Sequence, residues 1–269
     1  MSLVVGFVGA GRMGRPMVRR LLDAGYAVHV CARRDEIREE VRSWGAEVAG
    51  SPAEVADSAD VTITCLYSDD QLLEVLGGPD GVLAAVRPGT PVVSHTTGTV
   101  ATVTRLAAES TARGILLDGP VSGGAHDIAA GRLTVLLGGP ADAVYRVAPV
   151  LAAYADPLIE TGPLGTALAV KLVNNMVFAA NAQLLAAALT VGEELGTSGP
   201  QLLEALSRCS GNSYALGVIH RAGGIASFTT NAGPFLRKDV AACLSAATDL
   251  GIDLGVLLHA IDAGPLELR

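Results

Sequence analysis

The sequence predicts an α/β protein, a doubly wound sheet followed by an all-helical C-terminal part, on three observations. Short β-rich runs alternate with amphipathic stretches from Leu3 to about Gly162. A glycine-rich turn follows the first run directly, and the strand signal stops after Gly162. Alternation of this kind builds a largely parallel sheet with helices on both faces. The boundary is placed near Thr161-Gly162-Pro163, giving domains of residues 1–162 and 163–269.

The runs LVVGFVG, AVHVCA, VTITCL, TPVVSH, ILLDGPV, LTVLLGG and PLIETG read as buried strands, because they are short, β-branched and bounded by turn residues. Between them MGRPMVRRLLDAG, SDDQLLEVL, TVATVTRLAAESTARG and ADAVYRVAPVLAAYA carry apolar residues at helical spacing. Beyond Gly162 a long helix is expected from about Gly165 to Gly196, as the bridge into the second domain. QLLEALSRC, ALGVIHRAGG and a last helix near FLRKDVAACLSAATDLG follow it.

Composition narrows the class. Half the residues are hydrophobic and only 4% are aromatic, so Ala, Val, Leu and Gly must do the packing. A formal net charge of −8 offers no basic footprint for nucleic acid. Cys31, Cys65, Cys209 and Cys243 lie far apart with no nearby His pair, so neither a disulfide framework nor a metal site is expected, and a reducing cytoplasm fits. No stretch is read as ~18 uninterrupted apolar residues, and LVVGFVGAG lacks a basic leader; a soluble protein without membrane or signal segment is expected.

The first strand runs into Gly9-Ala10-Gly11-Arg12-Met13-Gly14 and then a helix. A GxGxxG in that context is the mark of a Rossmann-type dinucleotide site. Its first Gly makes the tight turn, the second lets the backbone approach a pyrophosphate, and the third lets helix and strand pack closely. The free N–H groups of the helix start face the phosphates. At the end of the second strand an NAD site wants an acid, but this chain has Cys31-Ala32-Arg33-Arg34, with Asp35 arriving late. Two guanidiniums without a carboxylate fit a 2′-phosphate, so NADP is expected over NAD.

The stretch ALAVKLVNNMVFAANAQ raises a chemical question. Of the 19 Lys and Arg residues only Lys171 and Lys238 are lysine, and Lys171 stands in the most apolar helix. Arg cannot give up its proton; a Lys in an apolar wall can, because desolvation disfavours the charged form. On a helix Asn175 is i+4 and Asn174 i+3 from Lys171, so the three side chains are neighbours. Ser122-Gly123-Gly124 follows ILLDGPV at the carboxyl edge of the sheet, where small residues leave backbone N–H groups for an anion.

GFVGAGRMGRPM, DGPVSGGAHDIAAGRLTVLLGG, GTALAVKLVNN and FLRKDV occur in this order across essentially the whole chain. Together they resemble the β-hydroxyacid dehydrogenase family, which includes 3-hydroxyisobutyrate dehydrogenases and glyoxylate or succinic-semialdehyde reductases, and which carries the 6-phosphogluconate dehydrogenase type of NADP-binding domain. The resemblance implies that Ser122, Gly123 and Gly124 hold a substrate carboxylate, that Lys171 is the catalytic lysine, and that Asn175, with Asn174 beside it, contacts substrate. It further implies that Lys238 reaches over cofactor and substrate, and that Leu66 and Thr97 touch the dinucleotide. The expected reaction is hydride transfer between NADP(H) and a small 3-hydroxy acid or the matching aldehyde or keto acid. Lys171 is expected as general acid/base, in a homodimer or homotetramer.

Several residues depart from the family pattern. Ala187 stands where an acid is frequent in the long helix, and AHDI follows Gly124 where a Gly-Ala pair is frequent, so His126 and Asp127 are expected to reshape the pocket. Ser94 and His95 replace an acid and an apolar residue before Thr97, without a sequence-level reason. The chain ends soon after LGVLLHAIDAG, so a shorter lid is expected. His29 and His95 are expected to satisfy strand positions, and the Asp69-Asp70 and Glu193-Glu194 pairs to be solvated helix faces. Two other functions share the framework: an imine reductase, whose relatives usually have Asp or Tyr in place of Lys171, and a non-catalytic NADP-binding protein, whose mark would be a lost Lys171 or a broken Ser-Gly-Gly loop.

Overall fold

The computed structural model describes residues 3–109 and 112–269. The chain divides into two compact units, residues 1–171 and 172–269. The first opens with β1 (Val4–Val8), α1 (Gly14–Asp23), β2 (Ala27–Cys31), α2 (Asp35–Ser43), β3 (Glu47–Val48), α3 (Pro52–Ser58) and β4 (Val61–Thr64). It continues through α4 (Asp69–Leu76), α5 (Val82–Ala85), β5 (Pro91–Ser94), α6 (Val100–Ala107), β6 (Ile115–Asp118), β7 (Val121–Ser122) and α7 (Ala125–Ala129). β8 (Leu133–Gly138), α8 (Ala141–Leu151) and β9 (Ala155–Gly162) complete the sheet.

The strands lie in the order β3-β2-β1-β4-β5-β6-β8-β7, with β9 also pairing β8. From β3 to β6 every pairing is parallel; β8 runs antiparallel to β6 and β7. The period-2 alternation of strands sorts side chains onto two faces. Val5, Phe7, Ile63, Val93 and Leu117 share one core with Met17, Val18 and Leu21 of α1 and Val144, Val147 and Leu151 of α8. Val8, Val92 and Leu116 share the other with Leu72 and Leu76 of α4 and Val103 and Leu106 of α6. This is the doubly wound sheet that the alternation predicts. The seven strands read from sequence are all present; β3 and β7, two residues each, were too short to leave a period. The TVATVTRLAAESTARG stretch forms α6, and its residues 110–111 lie outside the described residues.

After Gly162 the described structure is helical: α9 (Thr166–Glu194), α10 (Gly199–Ser207), α11 (Tyr214–Arg221), α12 (Ile225–Leu250) and α13 (Val256–Ala263). In the second unit Met176, Ala179, Ala182 and Leu185 of α9 pack with Leu203, Leu216 and Ile219, Phe228 and Val240, and Ile261. Buried Gln183 ties the end of the chain down, donating to the carbonyls of Ile261 and Leu266 and accepting the Leu266 N–H.

Two expectations need correction. α12 starts well before FLRKDV, running through Gly233 and Pro234, and it is not the last helix, since α13 follows it. Thr229, Thr230 and Asn231 bond back to the carbonyls of Ile225, Ala226 and Ser227, so the polar stretch joins the helix instead of capping it. α9 is long and apolar enough to cross a membrane by length and composition, whereas the sequence reading found no such run because Lys171, Asn174 and Asn175 interrupt it. Only 56% of its most apolar 18-residue window is buried. Val170, Val173, Val177, Leu184 and Val191, spaced at three, four or seven residues, form an exposed apolar face along it.

Candidate active site

The first-unit loop is built as a phosphate cradle. Gly9 takes a φ of +101°, and a Cβ there would lie 2.3 Å from the Cys65 carbonyl oxygen. A Cβ at Gly14 would lie 2.2 Å from the Gly9 carbonyl oxygen, so helix and turn touch through hydrogen atoms alone. Around Gly11 no protein atom comes within 4 Å of a built Cβ, which leaves open space over the turn. Ala10 is buried beneath, and Arg12 is exposed and Met13 half-buried. The helix start at Met13 has no side-chain cap; the Arg15 N–H bonds the Gly11 carbonyl at 3.0 Å and Pro16 carries none, while among the described residues no bond engages the Gly14 N–H. These residues fit the pyrophosphate of a dinucleotide.

Beyond β2, Arg33 and Arg34 are both exposed. Arg34 sits 3.8 Å from Glu36, and among the described residues no hydrogen bond or ion pair engages Arg33. Arg38, which the sequence reading passed over, is fastened to the Ala32 carbonyl at 2.8 Å and brings a third guanidinium to this strand end. Leu66, after β4, donates its N–H to the Thr96 hydroxyl at 3.2 Å, and half-buried Thr97 follows on the β5 side. The loops expected to touch the dinucleotide are therefore bonded to each other at the carboxyl edge.

The Ser122–Gly124 loop lies at the same edge. Ser122 pairs with Thr134 of β8, and Gly123 has a φ of +126° that a side chain would strain. One expectation fails here: the Gly124 N–H is not left for an anion, because the Asp127 carboxylate accepts it at 2.7 Å. The AHDI departure thus folds an acid back onto the loop, while His126 is exposed on α7. Asp69 is also not a solvated face. It is half-buried and accepts the Thr99 N–H at 3.0 Å, fixing the entry to α6, while Asp70 is exposed.

His95 finds its reason in three dimensions. It is fully buried, with Nδ1 on the Gly119 carbonyl and Nε2 2.7 Å from the Tyr154 hydroxyl. Burial holds its pKa down at about 4, against the upward pull of the Gly119 bond. Burial likewise raises the Cys65 thiol to about 12 and lifts Tyr154 well above its ordinary value, with Cys65 adding to the latter. His29 binds Ser58 and exposed Glu47, as a strand position would.

On α9, half-buried Lys171 stands one turn before Asn175. Within the second unit Asn175 is only 6% exposed, and its amide is engaged at both ends. Asn175 Nδ2 donates to Asp239 at 2.9 Å, and Oδ1 accepts from Asn174 at 3.1 Å. Lys238, partly buried, lies 3.9 Å from the carboxylate of Asp239. Asp239, like Arg38, is a residue that sequence reasoning missed. FLRKDV showed it beside Lys238, but a lone acid beside a lysine does not announce an asparagine partner 64 positions away. Ala187, where the resemblance leads one to expect an acid, is exposed on α9.

A parallel sheet with a glycine cradle at its carboxyl edge, followed by helices with a lysine and a fixed asparagine, defines a nicotinamide-dependent dehydrogenase framework. Residues 4–169 match the family model described as the NAD binding domain of 6-phosphogluconate dehydrogenase. Residues 165–263 match the one described as the NAD-binding domain of NADP-dependent 3-hydroxyisobutyrate dehydrogenase. The chain is 32% identical over 216 residues to 2-(hydroxymethyl)glutarate dehydrogenase of Eubacterium barkeri, covering 80% of this chain and 72% of that protein. It is 32% identical over 271 residues to mitochondrial 3-hydroxyisobutyrate dehydrogenase of Mus musculus, covering 96% and 80%. The solved 3-hydroxyisobutyrate dehydrogenase of Mycobacterium tuberculosis with L-serine superposes with a TM-score of 0.85 at 30% identity, covering 97% of this chain and 92% of that one. The chain belongs to the β-hydroxyacid dehydrogenase family, and it is an NAD(P)-dependent oxidoreductase acting on the CH–OH group of a small hydroxyacid.

Proposed function

We propose that the chain transfers a hydride between NADP(H) and a small 3-hydroxy acid, or the corresponding aldehyde or keto acid, with Lys171 as general acid and base. The observation that carries the reading is the placement of Lys171 one turn from an asparagine whose amide is locked by Asp239 and Asn174. Such an amide can orient a reacting oxygen or the acid beside it without reorganising.

Bound NADP(H) supplies the hydride acceptor or donor. In oxidation the C3 hydrogen leaves with its electron pair, and neutral Lys171 Nζ accepts the hydroxyl proton, leaving a carbonyl. In reduction the Lys171 ammonium returns that proton to the developing alkoxide. Ser122 and the Gly123 backbone hold the carboxylate, and Asp127 keeps Gly124 in place rather than leaving it to the substrate. Arg33, with Arg34 and Arg38 beside it, supports NADP over NAD through bidentate contacts to a 2′-phosphate. The four free thiols support a reducing cytoplasm. The exposed apolar face of α9 supports a homodimer or homotetramer, a second copy being the occupant whose identical stripe matches it.

The test is a panel of 3-hydroxy acids, semialdehydes and keto acids followed by nicotinamide absorbance. Turnover of at least one acid with NADP(H) is expected, and a protein inert across the panel would overturn the reading.

A further inference from the structure

We propose that His95 and Tyr154 are positioning residues, a buried couple that holds the Gly119–Ser122 segment and thereby sets the grip of the Ser122–Gly124 loop on the substrate carboxylate. This rests on the reading of that loop as the carboxylate cradle.

The direction of every hydrogen bond in the couple follows from chemistry. The Gly119 carbonyl can only accept, so His95 Nδ1 carries the hydrogen. The ring is neutral, which leaves Nε2 as an acceptor, and the Tyr154 O–H at 2.7 Å must donate. The rings meet edge to face, with centroids 5.8 Å apart. Both nitrogens are spent inside the fold, so the imidazole has nothing left with which to touch a substrate. Its effect must pass through the backbone that it holds.

That backbone is the approach to Ser122. The Gly119 N–H donates to the Ser94 carbonyl at 2.8 Å, the next carbonyl, of Pro120, accepts from Leu136 at 3.0 Å, and Ser122 pairs with Thr134. Tyr154 works on the same neighbourhood twice: its hydroxyl holds His95, and its main-chain carbonyl accepts the Leu133 N–H at 3.2 Å, next to Thr134. Gly119 fits tightly: a Cβ there would lie 2.8 Å from Val93 Cγ1 and 3.2 Å from His95 Nδ1. His95 is itself immobilised, its N–H donating to the Thr64 carbonyl at 2.8 Å, and Thr96 and Thr97 follow directly. One imidazole thus joins the loop expected to touch the dinucleotide to the loop expected to hold the acid. The side chain that stood at position 95 without a sequence-level reason supplies that link.

The test compares His95→Leu, which loses both bonds, with His95→Asn, whose amide can still donate where Nδ1 does, and with Tyr154→Phe, which removes one oxygen and keeps the ring. KM for a substrate acid should rise about tenfold in His95→Leu and less in His95→Asn, the scale of one buried hydrogen bond. kcat should change less than KM, and NADP(H) affinity should stay within about twofold. Amides of residues 121–124 should exchange with deuterium faster in His95→Leu and Tyr154→Phe, while β1 amides keep wild-type protection. Unchanged exchange at residues 121–124, or a uniform fall in kcat with KM fixed, would overturn the proposal. If the His95 variants do not fold, Tyr154→Phe decides it by the same two readouts. A wild-type protein inert toward every acid defeats the reading of the loop, and with it the role in substrate grip. The exchange measurement needs no substrate and still decides whether the couple holds the loop.

Discussion

The carboxylate of Asp118 accepts the backbone N–H of Leu168 at 2.8 Å, and its second oxygen accepts that of Gly165 at the same distance. Asp118 is completely buried at the end of β6, one residue before Gly119, and its partners open the helix that carries Lys171. A helix start has N–H groups with no partner of their own and a partial positive charge, so a carboxylate there is both acceptor and counter-charge. The strand edge bearing the Ser122–Gly124 loop and the first turn of α9 are thereby fastened at one point, within the first unit. Room for the acid is kept by Gly138, where a Cβ would lie 2.5 Å from Asp118 Oδ1.

Removing that acid should be costly. Asp118→Ala strands two buried N–H groups, and hydrogen bonds to charged groups contribute roughly 1.5–3 kcal/mol each. We expect a loss of about 3 kcal/mol or more by denaturant unfolding. Asp118→Asn keeps one acceptor and should lose less. An unfolding midpoint unchanged in Asp118→Ala would show that the contact carries no stability.

What the sequence made legible follows from range. The strand–turn–helix of Gly9–Gly14 and the i, i+4 pair Lys171–Asn175 are local patterns, and the fold places both as their spacing predicts. Asp239, Asp118 and His95 act on residues that are distant in the chain, and only the fold brings Asn175, Leu168 and Gly119 to them. Asp127 was visible as a departure, but its return onto Gly124 depends on the tight positive-φ turn at Gly123. The true start of α12 was not legible because Pro234, a residue that ordinarily marks a break, lies inside the helix, and side-chain bonds of the preceding turn carry the helix through it.

Arg33→Asp should move cofactor preference from NADP toward NAD. The substitution places a carboxylate where it repels a 2′-phosphate and can accept from a ribose hydroxyl. A fall of tenfold or more in NADP affinity, with NAD affinity held or improved, is expected from titration, since tenfold is about 1.4 kcal/mol. Equal wild-type affinities for the two cofactors, or no response to the substitution, would sink the expectation.

Leu184→Glu should dissociate the assembly proposed for the exposed face of α9. Leu184 is 59% exposed in the single chain, in line with Val177 and Val191. An added charge in a self-complementary apolar seam meets its own copy across the axis. Light scattering should show a dimer or larger in the wild type and a shift toward monomer in the variant. A wild type that is monomeric at micromolar concentration would refute the seam.

Burial of His95 should make the protein acid-sensitive in a defined window. Its folded pKa of about 4 lies below the ordinary 6.5, so between these values the unfolded chain binds a proton that the folded chain refuses. Stability from this group is complete above pH 6.5, falls as pH drops toward 4, and changes no further below that. The full span is on the order of 3 kcal/mol. Unfolding free energies at pH 7 and 4.5 should differ less in His95→Leu than in the wild type; an identical pH slope in both would show that another group sets it.

Lys171→Arg should be nearly inactive despite keeping the charge. A guanidinium does not deprotonate in this range, so it cannot take the hydroxyl proton, and its planar fork needs space that the ammonium does not. General acid–base help contributes about 10²–10⁴ in rate, and turnover should fall by at least the lower figure. NADP(H) affinity should hold, because the cradle at Gly9–Gly14 and the guanidinium of Arg33 are untouched. The helix should hold too, since Lys171 is half-buried and Asn175 keeps its bonds to Asp239 and Asn174. Steady-state turnover on a confirmed acid, with cofactor titration and circular dichroism on the same sample, separates lost chemistry from lost fold. Retention of more than about a tenth of wild-type turnover falls well short of the loss of an acid–base group and would make the lysine structural.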